Sequence, residues 1–595
     1  MTLGKQWSCR NEQRPSWNFV SALLPIALIA TVTPALAQRP DAPFSGNAVP
    51  QGSPLPRILP PSPPIVAPET GLVRPAAPAP SPALNVPIRS VAIAGATAFP
   101  AAQLQGFTAN LVGPGIPVAR VEKARADLLS LYRTNGYVLT TVTAAIGPQG
   151  DLRFNVVEGR IAAVKLDGDI GPAGVQVLRF LNHLTEVQPI DNATIERWLL
   201  LAQDVPGVSL NAVLQPSVSD PGALTLVAQV RRQAFNGLLT ADNRAFRQTG
   251  PVESLLVIDA NSFTEFGERS EASLYHTDGN TQNFGQASTE FYVGGSGLKL
   301  RLYGGHGEAA PSDFLRTVGY RGITTVFGLG AAYPVVRSRN QSLNLVVRLD
   351  AIETDTRTDT GPQGQSRRTS NDDLRVARVG FEYAIQDSLA GDDRPAVNFL
   401  GLRGSQGLNF LGSSGNNNLT PGRLNERVDF IKVTAELSRT QTLFAVGTAS
   451  SVALRASAQG QVSNSVLPPA EKFFLGGSEI NRGFYAGQVT GDNALAWSLE
   501  LQLNTAANFT VFDTPIPVSA QFYTFYDRGQ TFENQSIDPN ARLSSVGVGA
   551  RVTVTRFTEF DVEGVVRNTR LPVGTAGIVH PLKADAAYWR VLTRF

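Results

Sequence analysis

The segment Ala586-Ala-Tyr-Trp-Arg-Val-Leu-Thr-Arg-Phe595 decides the fold, because its residues alternate between two faces. One face carries Trp589, Val591, Thr593 and Phe595, and the other carries Tyr588, Arg590, Leu592 and Arg594. Alternation with a period of two is typical of a β-strand. A strand that is apolar on one face and charged on the other suits a wall between hydrocarbon and water. The segment therefore predicts a strand that crosses a membrane.

The same alternation recurs upstream, most clearly in residues 494–504. Leu495, Trp497, Leu499, Leu501 and Leu503 face one way, and Ser498, Glu500, Gln502 and Asn504 face the other. Roughly sixteen such segments are predicted, each near the ~10 residues that a tilted crossing strand needs. They start near positions 236, 252, 268, 284, 298, 323, 341, 373, 394, 426, 445, 494, 517, 542, 558 and 586.

These strands are expected to close into a barrel, because hydrocarbon cannot satisfy the hydrogen bonds of an open sheet edge. An even number of strands leaves both ends of the barrel on the same side of the membrane. A soluble β-sandwich is the alternative, but it would not place Trp and Leu on a solvent-facing stripe. The predicted fold is a membrane all-β barrel of roughly sixteen strands, preceded by smaller domains.

Composition narrows the range of functions. The chain has 595 residues, of which 17% are charged, and its net charge is +2. This charged fraction is below the roughly 25% of an average soluble protein. A nucleic-acid partner is not expected, because it would require a concentrated basic face. The four histidines are far apart and match no metal spacing, so neither an enzyme nor a metal or other cofactor is expected.

The amino-terminal part reads as an export signal followed by a linker. Residues 1–37 combine Lys and Arg with a short apolar run and end in Ala35-Leu-Ala37, which predicts a cleaved signal peptide. Cleavage would remove Cys9, the one cysteine of the chain. Residues 38–87 are rich in Pro, Ala and Ser, which predicts an extended linker. A segment that plugs the pore is the alternative interpretation.

Two small domains of the same element order are predicted next, over residues 88–159 and 160–232. Each reads as a strand, two helices and two strands, an α+β arrangement that buries helices on one sheet face. In the first domain the helices are predicted near residues 100–112 and 117–135. Val121, Ala124, Leu128 and Leu131 form the apolar stripe of the second of these helices. The barrel is predicted to occupy residues 233–595.

A long connection between two predicted strands, residues 464–493, carries an unusual motif. It contains Phe473-Phe-Leu-Gly-Gly-Ser-Glu-Ile-Asn-Arg-Gly-Phe484 and then Gly491-Asp492. A loop of this length is uncommon unless it has a function. Farther along lies Phe525-Tyr-Asp-Arg-Gly529, in which Phe525 and Asp527 share a strand face.

These motifs resemble the hallmarks of two-partner secretion transporters, the TpsB or hemolysin activator and secretion family of the BamA-like superfamily. The resemblance rests on Asn481, Arg482, Gly483, Phe484, Gly491 and Asp492 in the loop, and on Glu500, Phe525, Asp527 and Gly529 in the wall. Phe595 resembles the carboxy-terminal signal of outer-membrane barrels. The match covers about residues 88–595. One departure is Asn481, where the family usually has an apolar or β-branched residue.

The resemblance implies two periplasmic POTRA domains and a sixteen-stranded barrel in the bacterial outer membrane, with loop 464–493 folded into the lumen. Arg482 is then expected to contact Asp527, and Glu500 could share that contact. An arginine suits this role, because its planar guanidinium matches a carboxylate at two points. Gly483 is expected to allow a sharp turn, and Phe484 to pack beside the ion pair.

The resemblance also implies a function and partners. The pore is expected to recognise an exoprotein through its POTRA domains and to secrete it without nucleotide hydrolysis. Expected partners are a TpsA-type exoprotein with an amino-terminal secretion domain, outer-membrane lipid and the barrel assembly machinery. Residues 208–215 and 223–230 are candidate edge strands for binding the client. A BamA-like insertase for outer-membrane proteins is the alternative function, and a plain diffusion porin is a further one.

Overall fold

A computed structural model describes residues 84–312, 314–359, 365–392, 394–511, 514–555, 557–570 and 581–595. The predicted signal peptide, Cys9 and almost all of the predicted linker lie outside the described residues, as does His580. The described chain forms two small α+β domains followed by a β-barrel.

The first α+β domain has the expected layers but more strands than predicted. Its elements are β1 (Asn85–Ile88), β2 (Ser90–Ala94), α1 (Ala101–Gln105), β3 (Gly113–Pro117), α2 (Val118–Thr134), β4 (Thr141–Ile146) and β5 (Asp151–Val157). Strands β2, β5 and β4 form one sheet in that order, and β1 pairs with β3. The helix predicted over residues 100–112 is wrong beyond Gln105, because weak helix formers such as Thr108 and Asn110 follow Gly106. The apolar stripe of α2 ends on buried Tyr132 rather than on Leu131.

The second α+β domain follows directly. Its elements are β6 (Arg160–Asp167), α3 (Ala173–Asn182), a 3₁₀ turn (His183–Thr185), α4 (Asn192–Gln203), β7 (Val208–Pro216) and β8 (Ala223–Arg232). The sheet order is β6-β8-β7, so the prediction that residues 223–230 form an edge strand is wrong. β8 lies in the middle, parallel to β6 and antiparallel to β7, while β7 is an edge. No helix in the described part of the chain has the length and apolar composition needed to cross a membrane.

Sixteen antiparallel strands then close into a barrel, which confirms the predicted fold. They are β9 (Phe235–Asp242), β10 (Glu253–Asn261), β11 (Arg269–Thr277), β12 (Gln282–Tyr292), β13 (Lys299–Ala309), β14 (Arg321–Arg337), β15 (Gln341–Thr358), β16 (Arg367–Asp387), β17 (Ala396–Gly407), β18 (Ile431–Val446), β19 (Ser450–Ser463), β22 (Asn493–Val511), β23 (Thr514–Phe532), β24 (Ala541–Val554), β25 (Thr558–Arg567) and β26 (Asp585–Arg594). Two short strands, β20 (Phe473–Leu475) and β21 (Val489–Gly491), and a short helix α5 (Phe314–Thr317) lie in connections.

Alternation along β22 places polar groups inside and apolar groups outside. On β22, Leu495 and Leu499 are 58% and 44% exposed on the outer face, whereas Ser498 and Glu500 are buried on the lumen side. Burying a carboxylate requires partners, since an unpaired buried charge is costly. The inner wall therefore has to be built from paired charges.

The wall of the barrel differs in height around its circumference. β9 has 8 residues, whereas β16 has 21. The pairing of β16 with β17 stops at Val376, so the preceding residues of β16 pair with β15 alone among the strands. The connection 408–430 attaches to this tall hairpin, for example through the N–H of Leu408 to the carbonyl of Arg375 at 2.7 Å.

The second α+β domain is fixed to one end of the barrel. The guanidinium of Arg337, at the end of β14, binds both carboxylate oxygens of Asp204 at 2.7 Å. The ring of Tyr292, at the end of β12, packs edge-on against Phe180 of α3 with centroids 5.1 Å apart. His183 reaches the turn between β12 and β13. These contacts define the domain end of the barrel, and the connections 408–430 and 464–492 emerge at the opposite end.

Candidate functional site

The connection between β19 and β22, residues 464–492, folds back into the lumen of the barrel. Within it, β20 pairs with β21 and forms a hairpin. Leu475, Ile480 and Phe484 of this connection pack with Ala496 and Leu543 of the barrel wall in one buried cluster. Apolar contacts therefore attach the connection, hereafter the inward loop, to the inner face of β22 and β24.

The tip of the inward loop depends on a left-handed backbone at Asn481. Its φ is +57°, a region that asparagine tolerates better than apolar or β-branched residues. Asn481 is fully buried, and its side-chain nitrogen lies 3.5 Å from the carbonyl oxygen of Leu543. The departure from the family pattern at Asn481 thus suits the conformation that places the next residue against the wall.

Arg482 makes the central polar contact of the inward loop. Its side chain is 4% exposed. Its Nε donates to Oδ2 of Asp527 and its Nη2 to Oδ1, both at 3.1 Å, and its backbone N–H donates to Oδ2 at 2.7 Å. Its Nη1 donates to Glu500, and its Nη2 also donates to Ser498 at 3.0 Å. The arginine therefore joins the loop to both β22 and β23.

The two carboxylates have further partners in the wall. The hydroxyl of Ser498 donates to Asp527 at 2.6 Å. Arg551 of β24 donates to Glu500 at 3.1 Å. The wall thus supplies Glu500 with a second guanidinium besides that of Arg482.

Aromatic packing at the site differs from the sequence prediction. Phe525, not Phe484, lies beneath the guanidinium of Arg482, whose central carbon is 3.7 Å from the ring centroid. Phe484 instead belongs to the apolar cluster that contains Leu475. The reason is the pleat: Phe525 and Asp527 are two residues apart on β23 and therefore point to the same face. A cation above an aromatic face at a buried site is stabilised by the ring quadrupole.

The glycines of the site are required for close approach. Gly483 is not the turning residue that the sequence suggested, since the positive φ belongs to Asn481. A Cβ added at each glycine would meet a neighbour. At Gly483 this Cβ would lie 2.5 Å from Cβ of Ser545, at Gly491 it would lie 2.5 Å from Cβ of Thr531, and at Gly529 it would lie 2.3 Å from Oδ1 of Asn481. These distances are too short for any side chain, so the glycines allow the loop to touch the wall.

Asp492 belongs to a second site, away from Arg482. It accepts two hydrogen bonds from Arg423 of the connection 408–430, one of them at 3.1 Å. The backbone N–H groups of Leu467 and Asn534 also donate to it, at 2.9 and 2.8 Å. Burial alone would raise the pKa of Asp492, but these hydrogen bonds outweigh burial and lower it.

Sequence reasoning missed a third anchor of the inward loop, Glu471. It is 1% exposed and lies against Arg378 of β16 and Lys432 of β18. The separation between Lys432 Nζ and its carboxylate is 2.7 Å. The signal that could have found it is the alternation around Arg378 and Lys432, which stand next to the outward-facing Val379 and Val433. Inward-facing positive charges require a carboxylate partner.

Comparisons with known proteins decide the family. A family model described as haemolysin secretion/activation protein ShlB/FhaC/HecB matches residues 223–552, more than half of the chain. The chain belongs to this family. A model of the ShlB-type POTRA domain matches residues 86–159 of the same chain.

Solved structures share the fold of this ShlB/FhaC/HecB-family member. CdiB from Escherichia coli is 17% identical, with a TM-score of 0.66 over 92% of this chain and 94% of that chain. CdiB from Acinetobacter baumannii is 15% identical, with a TM-score of 0.57 over 87% of this chain and 91% of that chain. At these identities the likeness shows the fold alone. No curated protein sequence matches the chain.

Family membership gives the general function and the orientation. The ShlB/FhaC/HecB-family member is a secretion transporter of the bacterial outer membrane, with its POTRA domains in the periplasm. This finding favours secretion over the insertase alternative. The domain end of the barrel is therefore periplasmic, and the connections 408–430 and 464–492 start at the extracellular end.

Phe595 lies at the closure of the transporter's barrel. β26 pairs with β9 over five residues, from Arg590 opposite Asp242 to Arg594 opposite Leu238. Beyond them, Phe595 exchanges two backbone hydrogen bonds with Gly237, at 2.8 and 3.1 Å. The Phe595 ring lies so close to Gly237 that a Cβ there would be 2.4 Å from it.

Proposed function

We propose that the inward loop is the gate of the secretion pore and that Arg482 holds this gate closed. The observation that carries the proposal is the buried contact of Arg482 with Asp527 and Glu500 on the inner wall. A loop that occupies the lumen blocks the path of a polypeptide. Movement of the loop therefore has to precede transport.

The strength of the contact suits a gate that stays closed at rest. Both carboxylates are buried, Asp527 at 0% exposure and Glu500 at 2%. Moving the loop separates them from Arg482; Asp527 then loses the guanidinium that it binds, while Glu500 keeps Arg551. Such a separation costs roughly 3–5 kcal/mol unless water or a new partner replaces the arginine. A client that enters the lumen, together with water, supplies that replacement.

The client proposed here is a TpsA-type exoprotein with an amino-terminal secretion domain, which the POTRA domains bind in the periplasm. β7 is an edge strand of the sheet in the second POTRA domain, and Val213 on this strand is 46% exposed. The carbonyl of Leu210 on β7 already accepts a hydrogen bond from the side chain of Gln203 at 2.9 Å. Residues 212 and 214 have the same backbone orientation as Leu210. An extended client segment can pair with the edge there.

Substitution of Ala212 by proline tests this edge. The change removes the N–H that the edge offers to a client, whereas Ala212→Thr keeps it. Secretion of the co-expressed exoprotein should fall with proline and stay normal with threonine. Equal secretion by both variants, at equal transporter levels, would argue against client binding at β7.

The gate is tested by export of a co-expressed TpsA-type exoprotein. Arg482→Ala should fold but should nearly abolish appearance of the exoprotein in the medium, because the detached loop stays in the lumen, where it lets ions pass but obstructs an extended polypeptide. Arg528→Ala is the matched control, since Arg528 lies one residue after Asp527 on the exposed outer face of β23. Normal export by the Arg482 variant would contradict the proposed gate.

Two further partners belong to the same proposal. The apolar outer face, with residues such as Leu495 and Val548, contacts outer-membrane lipid. The barrel assembly machinery inserts the chain and binds its last strand, which ends on Phe595. Phe595→Ala should lower the amount of transporter in the outer membrane, measured by fractionation, more than Trp589→Ala does.

A further inference from the structure

Arg423 lies where three extracellular connections meet. It belongs to the connection 408–430, and its side chain is 10% exposed. Its Nη1 donates to Asp492 at 2.5 Å and to the carbonyl of Leu467 at 3.1 Å. Its Nη2 donates to Glu533 at 2.6 Å, and its Nε donates to Asp538 at 2.7 Å. All three nitrogens of the guanidinium are thus engaged, by groups from two other connections.

The contacts of Arg423 hold together the two ends of the inward loop near Leu467 and Asp492, hereafter its neck. Leu467 lies at the start of the loop and Asp492 is its last residue. The N–H of Leu467 donates to Oδ1 of Asp492 at 2.9 Å, so the carboxylate joins the two ends of the loop. Arg423 binds both ends at once, through the carbonyl of Leu467 and the carboxylate of Asp492.

Charge makes Arg423 the residue on which this neck depends. Three carboxylates surround it, from Asp492, Glu533 and Asp538. The other cation in the group is Lys472, which pairs with Glu533 at 2.8 Å. Without Arg423, three negative charges would face one positive charge, and their repulsion would separate the connections.

We propose that Arg423 is a positioning residue of the transporter, which clamps the extracellular neck of the inward loop and so holds the gate in the lumen. The clamp acts through the loop ends and the Arg482 contact through the loop tip, so each contributes to closure independently. The inference rests on the proposed role of the inward loop as the gate.

A neighbouring arginine provides a matched control. Arg427 lies four residues later in the same connection and pairs with Asp429, two residues away, at 2.8 Å. Its side chain is 55% exposed, and its ion pair joins no second connection. Arg423→Gln and Arg427→Gln therefore remove the same charge from the same connection, but only the first opens the neck.

The test measures channel conductance of the full-length transporter in planar lipid bilayers, without any client. Arg423→Gln should raise the fraction of time in the open state about tenfold over wild type, as expected from loss of several charge-assisted hydrogen bonds. Arg427→Gln should match wild type. Heat-modifiable mobility on a gel shows whether each barrel is folded.

Three results separate the possible outcomes. If Arg423→Gln conducts like Arg427→Gln while Arg482→Ala is open, the clamp is refuted and the gate stands. If Arg482→Ala also conducts like wild type, the proposed gate itself fails. If the Gln variant does not fold, Arg423→Lys serves instead, because it keeps the charge but cannot reach all of the acceptors, and it should give an intermediate open fraction. Wild-type behaviour of the Lys variant would likewise refute the clamp.

Discussion

Replacing Arg482 with alanine removes the cation that contacts Asp527 among the described residues of the lumen. In the intact chain Asp527 accepts three hydrogen bonds from this residue, two from the guanidinium and one from the backbone N–H. After the change it keeps the backbone N–H and the hydroxyl of Ser498, while Glu500 keeps Arg551. An uncompensated buried charge costs ~3–5 kcal/mol. Because both carboxylates retain partners, we expect the free energy of unfolding to fall by about 3 kcal/mol.

A double-mutant cycle with Asp527→Asn tests the assignment of this cost. The asparagine has the shape of the aspartate but no charge, so nothing is left unpaired when Arg482 is absent. The double variant should therefore be more stable than the sum of the single changes predicts, by roughly 1–3 kcal/mol. Urea unfolding in lipid vesicles, followed by tryptophan fluorescence and gel mobility, measures each free energy. Arg528→Ala, on the outer face of the same strand, should change it by under ~0.5 kcal/mol.

Additive effects would refute the reasoning. If the double variant loses the full sum of both single losses, Arg482 and Asp527 are not coupled, and the buried charge does not cause the instability. A cost of less than ~1 kcal/mol for Arg482→Ala would place the pair in the range of exposed ion pairs.

Three further predictions concern the loop, the extracellular mouth and the joint between the POTRA domains. Gly483→Ala should push the inward loop from the wall, lower the free energy of unfolding by ~1–3 kcal/mol and raise channel conductance. Gly564→Ala is the control, because its added Cβ meets nothing within 4 Å, and it should change neither quantity. Burial and then the hydrogen bond with Asp372 raise the pKa of Glu426 from 4.5 to about 9, so the folded state keeps a proton that the unfolded chain loses between these values. Stability should fall as pH rises through this range. Glu426→Gln should flatten the curve of melting temperature against pH, and an unchanged slope would contradict this. Glu158 lies in the joint between the two POTRA domains, after β5 and before β6. Glu158→Ala removes its hydrogen bonds to three residues of the first POTRA domain, so trypsin should cleave that domain faster. An unchanged cleavage rate would show that the joint does not need these hydrogen bonds.

The barrel could be predicted from the sequence because every crossing strand obeys one period. The wall has to meet lipid on one face and the lumen on the other, and this requirement is local to each strand. Strand ends were less predictable. β16 was expected to begin near position 373 but begins at Arg367, because its first residues extend beyond the membrane and need not alternate.

The partners within the site required the structure. Asp492 and Arg423 are separated by 69 residues and lie in connections without periodicity, so no sequence pattern joins them. The same holds for Glu471 and Arg378. In the first POTRA domain, β1 and β3 are short strands whose pairing depends on tertiary contacts, and their sequences contain Pro and Gly that disfavour strands.

The tall hairpin of β15 and β16 gives the extracellular mouth one raised side. The nine residues from Arg367 to Arg375 stand above the last pairing with β17 and span about 30 Å along the strand. The connection 408–430 packs against this hairpin. An exoprotein that leaves the pore therefore passes a raised protein wall on this side of the mouth. Emergence and early folding of the cargo are thereby restrained on the side of β15 and β16, which makes the rim asymmetric for the chain that crosses it.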